Sequence, residues 1–137
     1  MTTILASLAL REATAWLYDA IAATPGYTPI HEHLRSALGQ GKVWAGLGRS
    51  SGEGRALQAT QEAVANLGKG WEHCGYLFMA VCSSEELNIT EYSQAVMLVE
   101  AEAALRNAPS PKVELTLSNS FGEEMRVILL ATENSME

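Results

Sequence analysis

The chain has 137 residues, of which 47% are hydrophobic and 18% are charged, and its formal net charge is −7 at pH 7. This length suffices for one hydrophobic core, so we predict a single domain over residues 1–137. A surface that binds nucleic acid or an anionic membrane needs clustered basic side chains, whereas the nine lysines and arginines of this chain are scattered. The composition therefore excludes both of these partners.

Neither a membrane helix nor a signal peptide is predicted. The most apolar run, residues 76–82, has 7 residues, against about 20 for a membrane helix. The N-terminus lacks a basic start and a small-residue cleavage site, so we expect a cytoplasmic protein. Cys74 and Cys82 would lie about 26 Å apart along a strand, too far for a disulfide, and we expect two reduced core residues.

The first 38 residues are predicted to be mainly helical. Apolar side chains recur at helical spacing over residues 3–23, and Thr24, Pro25 and Gly26 end the helix. A second, short helix is expected over residues 31–38. Because apolar groups lie on more than one face of the first helix, we expect it to be covered on two sides.

The remainder of the chain alternates between strands and helices. Ser50 and Glu53 have the spacing of a capping box for the first of these helices, and Thr90 is the expected cap of the second. The predicted strands cover residues 42–48, 75–82, 112–118 and 124–132, and the predicted helices cover residues 52–67 and 91–106.

This order predicts an α+β two-layer sandwich, in which one four-stranded mixed sheet carries two amphipathic helices on one face. The last two strands are expected to form a hairpin-like pair. Residues 112–118 alternate cleanly between Val113, Leu115 and Leu117 on one side and polar residues on the other, so one face of that strand is expected to be open or polar.

A glycine-rich stretch lies between the first of these strands and the following helix, at Gly46, Gly48, Gly52 and Gly54. A helix N-terminus beside small residues favours anions, which raises the possibility of a phosphate site. However, the Walker spacing is absent, and Ser51 occupies the third glycine position of the dinucleotide-binding pattern. We therefore favour a tight turn that needs the backbone freedom of glycine.

The histidines do not make a convincing metal or catalytic site. His31 and His33 are neighbours, but His73 and Cys74 lie far along the chain, and the ligand spacing of a zinc site is missing. We predict no metal, no cofactor and no cysteine nucleophile.

Two stretches resemble the C-terminal domain of FtsZ, the tubulin-like GTPase of bacterial cell division. The family pattern G-x-G-x-[A/S]-x-G-E-x-R-A is matched by Gly46, Gly48, Ser50, Gly52, Glu53, Arg55 and Ala56, and the charged turn and last strand of the family are matched by residues 121–132. The resemblance covers residues 42–132, while residues 3–38 resemble the lower part of the FtsZ central helix and the loop after it. It implies that the glycine-rich turn is structural and does not hold GTP, and we expect a stand-alone domain that departs from the family in lacking the GTP-binding half.

The resemblance also points to an interaction loop at residues 26–35. In FtsZ the corresponding loop carries N-x-D-x-x-D carboxylates that reach the GTP of the neighbouring subunit and position the attacking water. Here Pro29 replaces the Asn, His31 replaces the first Asp, and the second falls on His33 or Leu34. GTPase activation is therefore expected to be lost. The interaction loop comprises Gly26, Pro29, His31, Glu32, His33 and Arg35.

Three functions are compatible with these features. The leading hypothesis is a non-catalytic FtsZ-like protein that self-associates and binds an FtsZ-type GTPase, so that it caps or tunes the division polymer. A homo-oligomer is expected because the helix over residues 3–23 would otherwise expose an apolar stripe. The alternative is an oligomeric small-molecule-binding protein or enzyme, with Arg49, Arg55 or His31 contacting an anionic ligand. The third possibility is a structural domain with self-association only.

Overall fold

The computed structural model describes residues 43–133, and the helices predicted over residues 3–23 and 31–38 lie outside this part of the chain. Among the described residues, no helix is long and apolar enough to cross a membrane. The strands are β1 (Val43–Ser51), β2 (Tyr76–Ser83), β3 (Lys112–Leu117) and β4 (Glu124–Thr132), and the α-helices are α1 (Arg55–Leu67) and α2 (Ile89–Leu105).

The four described strands form one mixed sheet in the order β1-β4-β2-β3. Strand β4 runs antiparallel to both β1 and β2, while β3 runs parallel to β2. The predicted α+β fold with a four-stranded mixed sheet and two helices is confirmed, but the hairpin-like pairing of β3 with β4 is wrong. Residues 125 and 127–132 of β4 are buried on both faces of the sheet, so β4 takes a central position and β3 is left at an edge.

Both helices pack on the same face of the sheet, as predicted. Three alanines of α1 and the inward residues of α2 join one buried cluster with alternate side chains of β2 and β4. Small helix residues let the helix axes approach the sheet closely, so the layer is thin and dense. The helix residues of this cluster are Ala56, Ala59, Ala63, Leu67, Ala95, Val99 and Ala103.

The opposite face of the sheet is also buried. Its cluster includes Phe78, Ala80 and Cys82 of β2 together with Ile128 and Leu130 of β4, and none of the five is more than 2% exposed. A strand that is buried on both faces needs an almost continuous apolar sequence. This requirement explains why β2 and β4 are the most hydrophobic of the four described strands.

Strand β3 differs from the prediction in which side it exposes. Val113, Leu115 and Leu117 are paired in register with Met79, Val81 and Ser83, so they lie on the helix side of the sheet. Leu115 is nevertheless 37% exposed and Leu117 is 40% exposed, whereas Thr116 on the opposite face is 2% exposed. The open face of β3 is thus its apolar one.

Helix α2 begins with a capping box, two residues earlier than predicted. The side chain of Asn88 accepts a hydrogen bond from the Glu91 N–H at 2.8 Å, and a Glu91 carboxylate oxygen accepts one from the Asn88 N–H at 3.3 Å. Each of these bonds satisfies a backbone donor that the helix itself leaves unpaired. The prediction that Thr90 caps this helix is wrong, because Thr90 lies inside its first turn.

Replacing Asn88 with alanine is expected to lower the free energy of unfolding by about 1 kcal/mol, the usual effect of losing an N-cap side chain. Urea unfolding followed by circular dichroism measures the change. Thr90→Ala is the matched control, since Thr90 is exposed and a surface substitution costs less than about 0.5 kcal/mol. A larger loss from Thr90→Ala than from Asn88→Ala would contradict the assigned cap.

Candidate functional site

Two glycines of the glycine-rich stretch allow α1 to lie directly against β1. A Cβ atom added at Gly48 would come within 1.9 Å of the Ala59 carbonyl oxygen, and one added at Gly46 would come within 2.1 Å of the Ala63 carbonyl oxygen. Side-chain carbons do not approach backbone atoms this closely. The first two glycines of the motif are therefore needed because they lack a side chain.

The next two glycines form the turn between β1 and α1. Gly52 and Gly54 have φ angles of +80° and +78°, in the left-handed region that favours glycine. Gly54 is the N-cap of α1 and no side chain caps this helix, so the capping box predicted from Ser50 and Glu53 is wrong. The Ser50 hydroxyl instead donates to the Gln58 side chain at 2.7 Å. Strand β1 continues to Ser51, past its predicted end, and leaves Ser50 within the strand.

Arg55 points inward at the start of α1 and joins three parts of the fold. Its side chain is 10% exposed, and its Nε and Nη2 donate to the two carboxylate oxygens of Glu91 at 2.7 and 3.1 Å. Its Nη1 donates to the Glu123 carbonyl oxygen at 2.9 Å. The first turn of α1 is thereby tied to the first turn of α2 and to the charged turn before β4.

Arg55 and Glu91 each favour the ionised form of the other. The hydrogen bond from Arg55 holds the pKa of Glu91 below its usual value, against the opposing effect of partial burial. The same hydrogen bond raises the pKa of Arg55. Both groups consequently stay ionised at neutral pH, and the bidentate geometry is the strong form of such a pair.

Arg55, Glu91 and the carbonyl group of Glu123 together form a structural clamp beside the glycine-rich turn. The guanidinium of Arg55 is engaged by Glu91, so the hypothesis of an anionic ligand loses one of its proposed contacts. Arg49 is exposed, with its Nε 3.9 Å from a Glu124 carboxylate oxygen, and its backbone N–H donates to Glu62 at 3.3 Å. The surroundings of the turn are thus acidic, which is unfavourable for phosphate.

Of the histidines and cysteines considered in the sequence, only His73, Cys74 and Cys82 lie in the described part of the chain. The interaction loop at residues 26–35, including His31 and His33, lies outside the described part of the chain. His73 is exposed, with its Nε2 3.8 Å from a Glu72 oxygen. Both Cys74 and Cys82 are buried, as predicted, and neither forms a disulfide. Burial raises the pKa of the Cys74 thiol, which therefore stays neutral. Within residues 43–133, no group of three or more potential metal ligands is present.

Sequence reasoning missed two members of the clamp, Glu91 and Glu123. Glu91 acts twice, since it closes the capping box at Asn88 and pairs with Arg55. The spacing of Asn88 and Glu91 was a visible signal for the first role. Its pairing with Arg55 joins residues 36 positions apart and has no local signal.

No family model matches the chain, and no curated protein matches it. Solved structures do match it. CetZ2 from Haloferax volcanii, in a GTPγS-bound protofilament, has a TM-score of 0.60 and 13% identity, covering 91% of this chain and 39% of that one. An empty FtsZ dimer from M. jannaschii has a TM-score of 0.57 and 21% identity, covering 74% and 30%.

TubZ from Bacillus thuringiensis serovar israelensis, in a GTPγS-form protofilament, is also similar, with a TM-score of 0.52 and 9% identity over 69% of this chain and 24% of that one. The chain therefore spans less than half the length of each of these proteins. At such low identities the likeness concerns the fold alone. The described residues have the α+β fold of the C-terminal domain in FtsZ/tubulin-family structures.

Proposed function

We propose that this chain is a non-catalytic FtsZ-like protein that self-associates and binds subunits of a tubulin-like filament, and that it modulates the assembly of a cell-division polymer. The observation that carries this proposal is the fold, since the similar structures are an FtsZ dimer and protofilaments of CetZ2 and TubZ. A domain of this shape is suited to contact a filament end and to stop further addition there.

The proposed contact surface is the interaction loop at residues 26–35, facing the nucleotide end of an FtsZ-type subunit. Orienting a water molecule for attack on a phosphate requires a correctly placed acceptor beside an already negative group. Pro29 and His31 stand where the resemblance places the Asn and the first Asp, and neither side chain supplies a negative charge. Binding through this loop therefore leaves the bound GTP unhydrolysed.

The clamp at the glycine-rich turn gives the proposed binding domain its rigidity. Arg55 is held by Glu91 and by the Glu123 carbonyl, and α1 is seated on β1 through Gly46 and Gly48. In this proposal these residues maintain the shape of the domain and do not contact the partner. Substitutions there should alter folding stability before they alter filament binding.

Co-sedimentation with an FtsZ-type GTPase and GTP tests the proposal. We expect the chain to pellet with the polymer and the rate of GTP hydrolysis per FtsZ subunit to fall as the chain is added in excess. The proposal is wrong if the chain stays in the supernatant while polymer mass and hydrolysis rate remain unchanged.

Restoring carboxylates to the interaction loop should reverse the effect on hydrolysis. We expect the double variant His31→Asp, His33→Asp to raise the GTP hydrolysis rate of the FtsZ-type partner at least several-fold over that seen with the unsubstituted chain. The matched control, His31→Asn with His33→Asn, has side chains of similar size without the charge. An equal increase with the asparagine variant would show that a carboxylate is not what the loop lacks.

A further inference from the structure

Strand β3 presents an open edge together with an apolar stripe. Among the described residues it has a neighbouring strand on one side only, which is β2. Its helix-side residues Val113, Leu115 and Leu117 are half-buried or exposed, with Leu115 and Leu117 at 37% and 40%. An edge strand with exposed apolar side chains is a template for pairing with another strand.

The backbone N–H and C=O groups of β3 point alternately towards β2 and towards the outer edge, and one hydrogen bond shows which residues face β2. The Ser118 N–H donates to the Ser83 carbonyl oxygen at 2.8 Å, so the even-numbered residues of β3 direct their backbone groups towards β2. Successive residues of a strand direct these groups to opposite sides. The N–H and C=O groups of Val113, Leu115 and Leu117 therefore point to the outer edge, and these are also the residues with exposed apolar side chains.

We propose that β3 pairs antiparallel with β3 of a second copy of this chain, about a two-fold axis that passes beside Leu115. In this register Leu115 lies opposite Leu115 of the second copy, and Val113 lies opposite Leu117 of the second copy. These residues form hydrogen-bonded pairs through their outward N–H and C=O groups, and their side chains make one apolar strip across the seam. Two four-stranded sheets then become one sheet of eight strands.

The sequence of β3 fits a second copy because it is symmetric in character about Leu115. Glu114 falls opposite Thr116, and Lys112 falls opposite Ser118, so no like charges meet. An axis at Glu114 would place two carboxylates opposite each other. An axis at Val113 would place Leu115 opposite Pro111, which has no N–H to donate. A two-fold interface requires this self-complementarity, and of these three registers only the one about Leu115 provides it.

Proline, glycine and lysine, which often protect an edge, are absent from the interior of the strand. Its two charged residues, Lys112 and Glu114, both lie on the face opposite the apolar stripe. This pairing deepens the self-association of the proposed function and identifies the surface that carries it. It involves other residues than the interaction loop at residues 26–35, so substitutions can test the two independently.

Sedimentation equilibrium of the full chain tests the pairing. We expect a dimer at tens of micromolar, and we expect Leu115→Lys to weaken the dimer at least 10-fold because it places two like charges on the two-fold axis. The matched control is Met97→Lys, since Met97 is an exposed apolar residue of α2, at 64%, and this variant should dimerise as the unsubstituted chain does.

Leu115→Pro provides a second variant with a different physical basis. The Leu115 N–H points to the outer edge, so proline there removes a donor of the proposed seam and leaves the β2–β3 hydrogen bonds intact. Circular dichroism verifies that each variant is folded. We expect a folded monomer.

Disulfide trapping reports the register directly. Hydrogen-bonded antiparallel pairs have Cα atoms about 5.5 Å apart, a separation that a disulfide spans. Leu115→Cys should therefore give a covalent dimer on mild oxidation, whereas Gln94→Cys, at an exposed position of α2, should not. The native cysteines Cys74 and Cys82 are buried and present in both variants, so any cross-linking through them would be the same in both.

A chain that is monomeric at all concentrations, a dimer unaffected by Leu115→Lys, or the absence of a Leu115→Cys dimer would each overturn the pairing. The proposed function has a separate outcome. A chain that dimerises but changes neither the polymer mass nor the GTP hydrolysis rate of an FtsZ-type protein would reject that function and leave the pairing standing. A monomeric chain that changes them would reject the pairing and leave the function standing.

Discussion

Replacing Gly48 with alanine is expected to lower the free energy of unfolding by about 3 kcal/mol or more, the upper range for overpacking a dense interior. The new Cβ would lie 1.9 Å from the Ala59 carbonyl oxygen and 2.7 Å from the Ala63 nitrogen. Both are backbone atoms, so no side chain can rotate away to relieve the overlap. Helix α1 would have to move off β1, and its buried alanines would lose their contacts with the sheet.

Urea unfolding of Gly48→Ala is best compared with Gly52→Ala. Nothing lies within 4 Å of a Cβ at Gly52, and its φ of +80° is the sole source of strain there. That strain costs about 1–2 kcal/mol, so Gly52→Ala should be the milder substitution. If Gly48→Ala proved no more destabilising than Gly52→Ala, the direct seating of α1 on β1 would be wrong.

Removing the guanidinium of Arg55 should have a comparably large effect. Arg55→Met leaves the Glu91 carboxylate without its partner in a site where the two side chains are 10% and 21% exposed. Breaking a buried pair in this way costs about 3–5 kcal/mol, and partial solvent access to Glu91 places the expected loss at about 3 kcal/mol. The double variant Arg55→Met, Glu91→Gln leaves neither charge uncompensated.

The double variant is the control for this prediction. Its loss of stability should be smaller than the sum of the two single losses by about 1 kcal/mol or more, as for directly contacting groups. Strict additivity would contradict the assigned pair.

The pair also has a defined pH dependence. Because the folded pKa of Glu91 is lowered from 4.5, its contribution to stability is fully present above pH 4.5 and is lost as pH falls through the lowered value. The difference in unfolding free energy between the unsubstituted chain and Glu91→Gln should therefore be larger at pH 7 than at pH 3. A difference that does not shrink at acidic pH would show that the carboxylate is not stabilised by Arg55.

The sequence was sufficient to predict the strands and helices of the described region but not the order of the strands. Alternation and helical spacing are local signals, whereas strand order depends on which elements bury two faces. The continuous apolar run of β4 contained that information, because a strand with alternate polar residues, such as β3, belongs at an edge. The more local assumption, that consecutive strands pair, gave the wrong result.

The caps were mispredicted for a related reason. Ser50 and Glu53 have capping-box spacing, but β1 continues through Ser51 and leaves no helix for them to cap. Asn88 and Glu91 have the same spacing, and here the loop after β2 places the box at the true start of α2. Spacing identifies candidates, and the length of the preceding strand decides between them.

The glycine-rich motif shows a further limit of sequence reasoning. Its spacing predicted a tight turn, and Gly52 and Gly54 do have the left-handed conformation that such a turn needs. Gly46 and Gly48 lie within β1, however, and serve a tertiary contact with α1. At these two positions a residue without a side chain is needed because a neighbouring helix lies close by. A local sequence pattern cannot distinguish this need from a need for backbone freedom.

The proposed function is tested most sharply by the rate of GTP hydrolysis of an FtsZ-type protein during titration with this chain. We expect the rate per FtsZ subunit to fall with added chain and to reach a plateau, and we expect the chain alone to hydrolyse no GTP. A rate that stays constant to saturating excess, or one that rises with the unsubstituted chain, would contradict a non-catalytic partner of tubulin-like filaments.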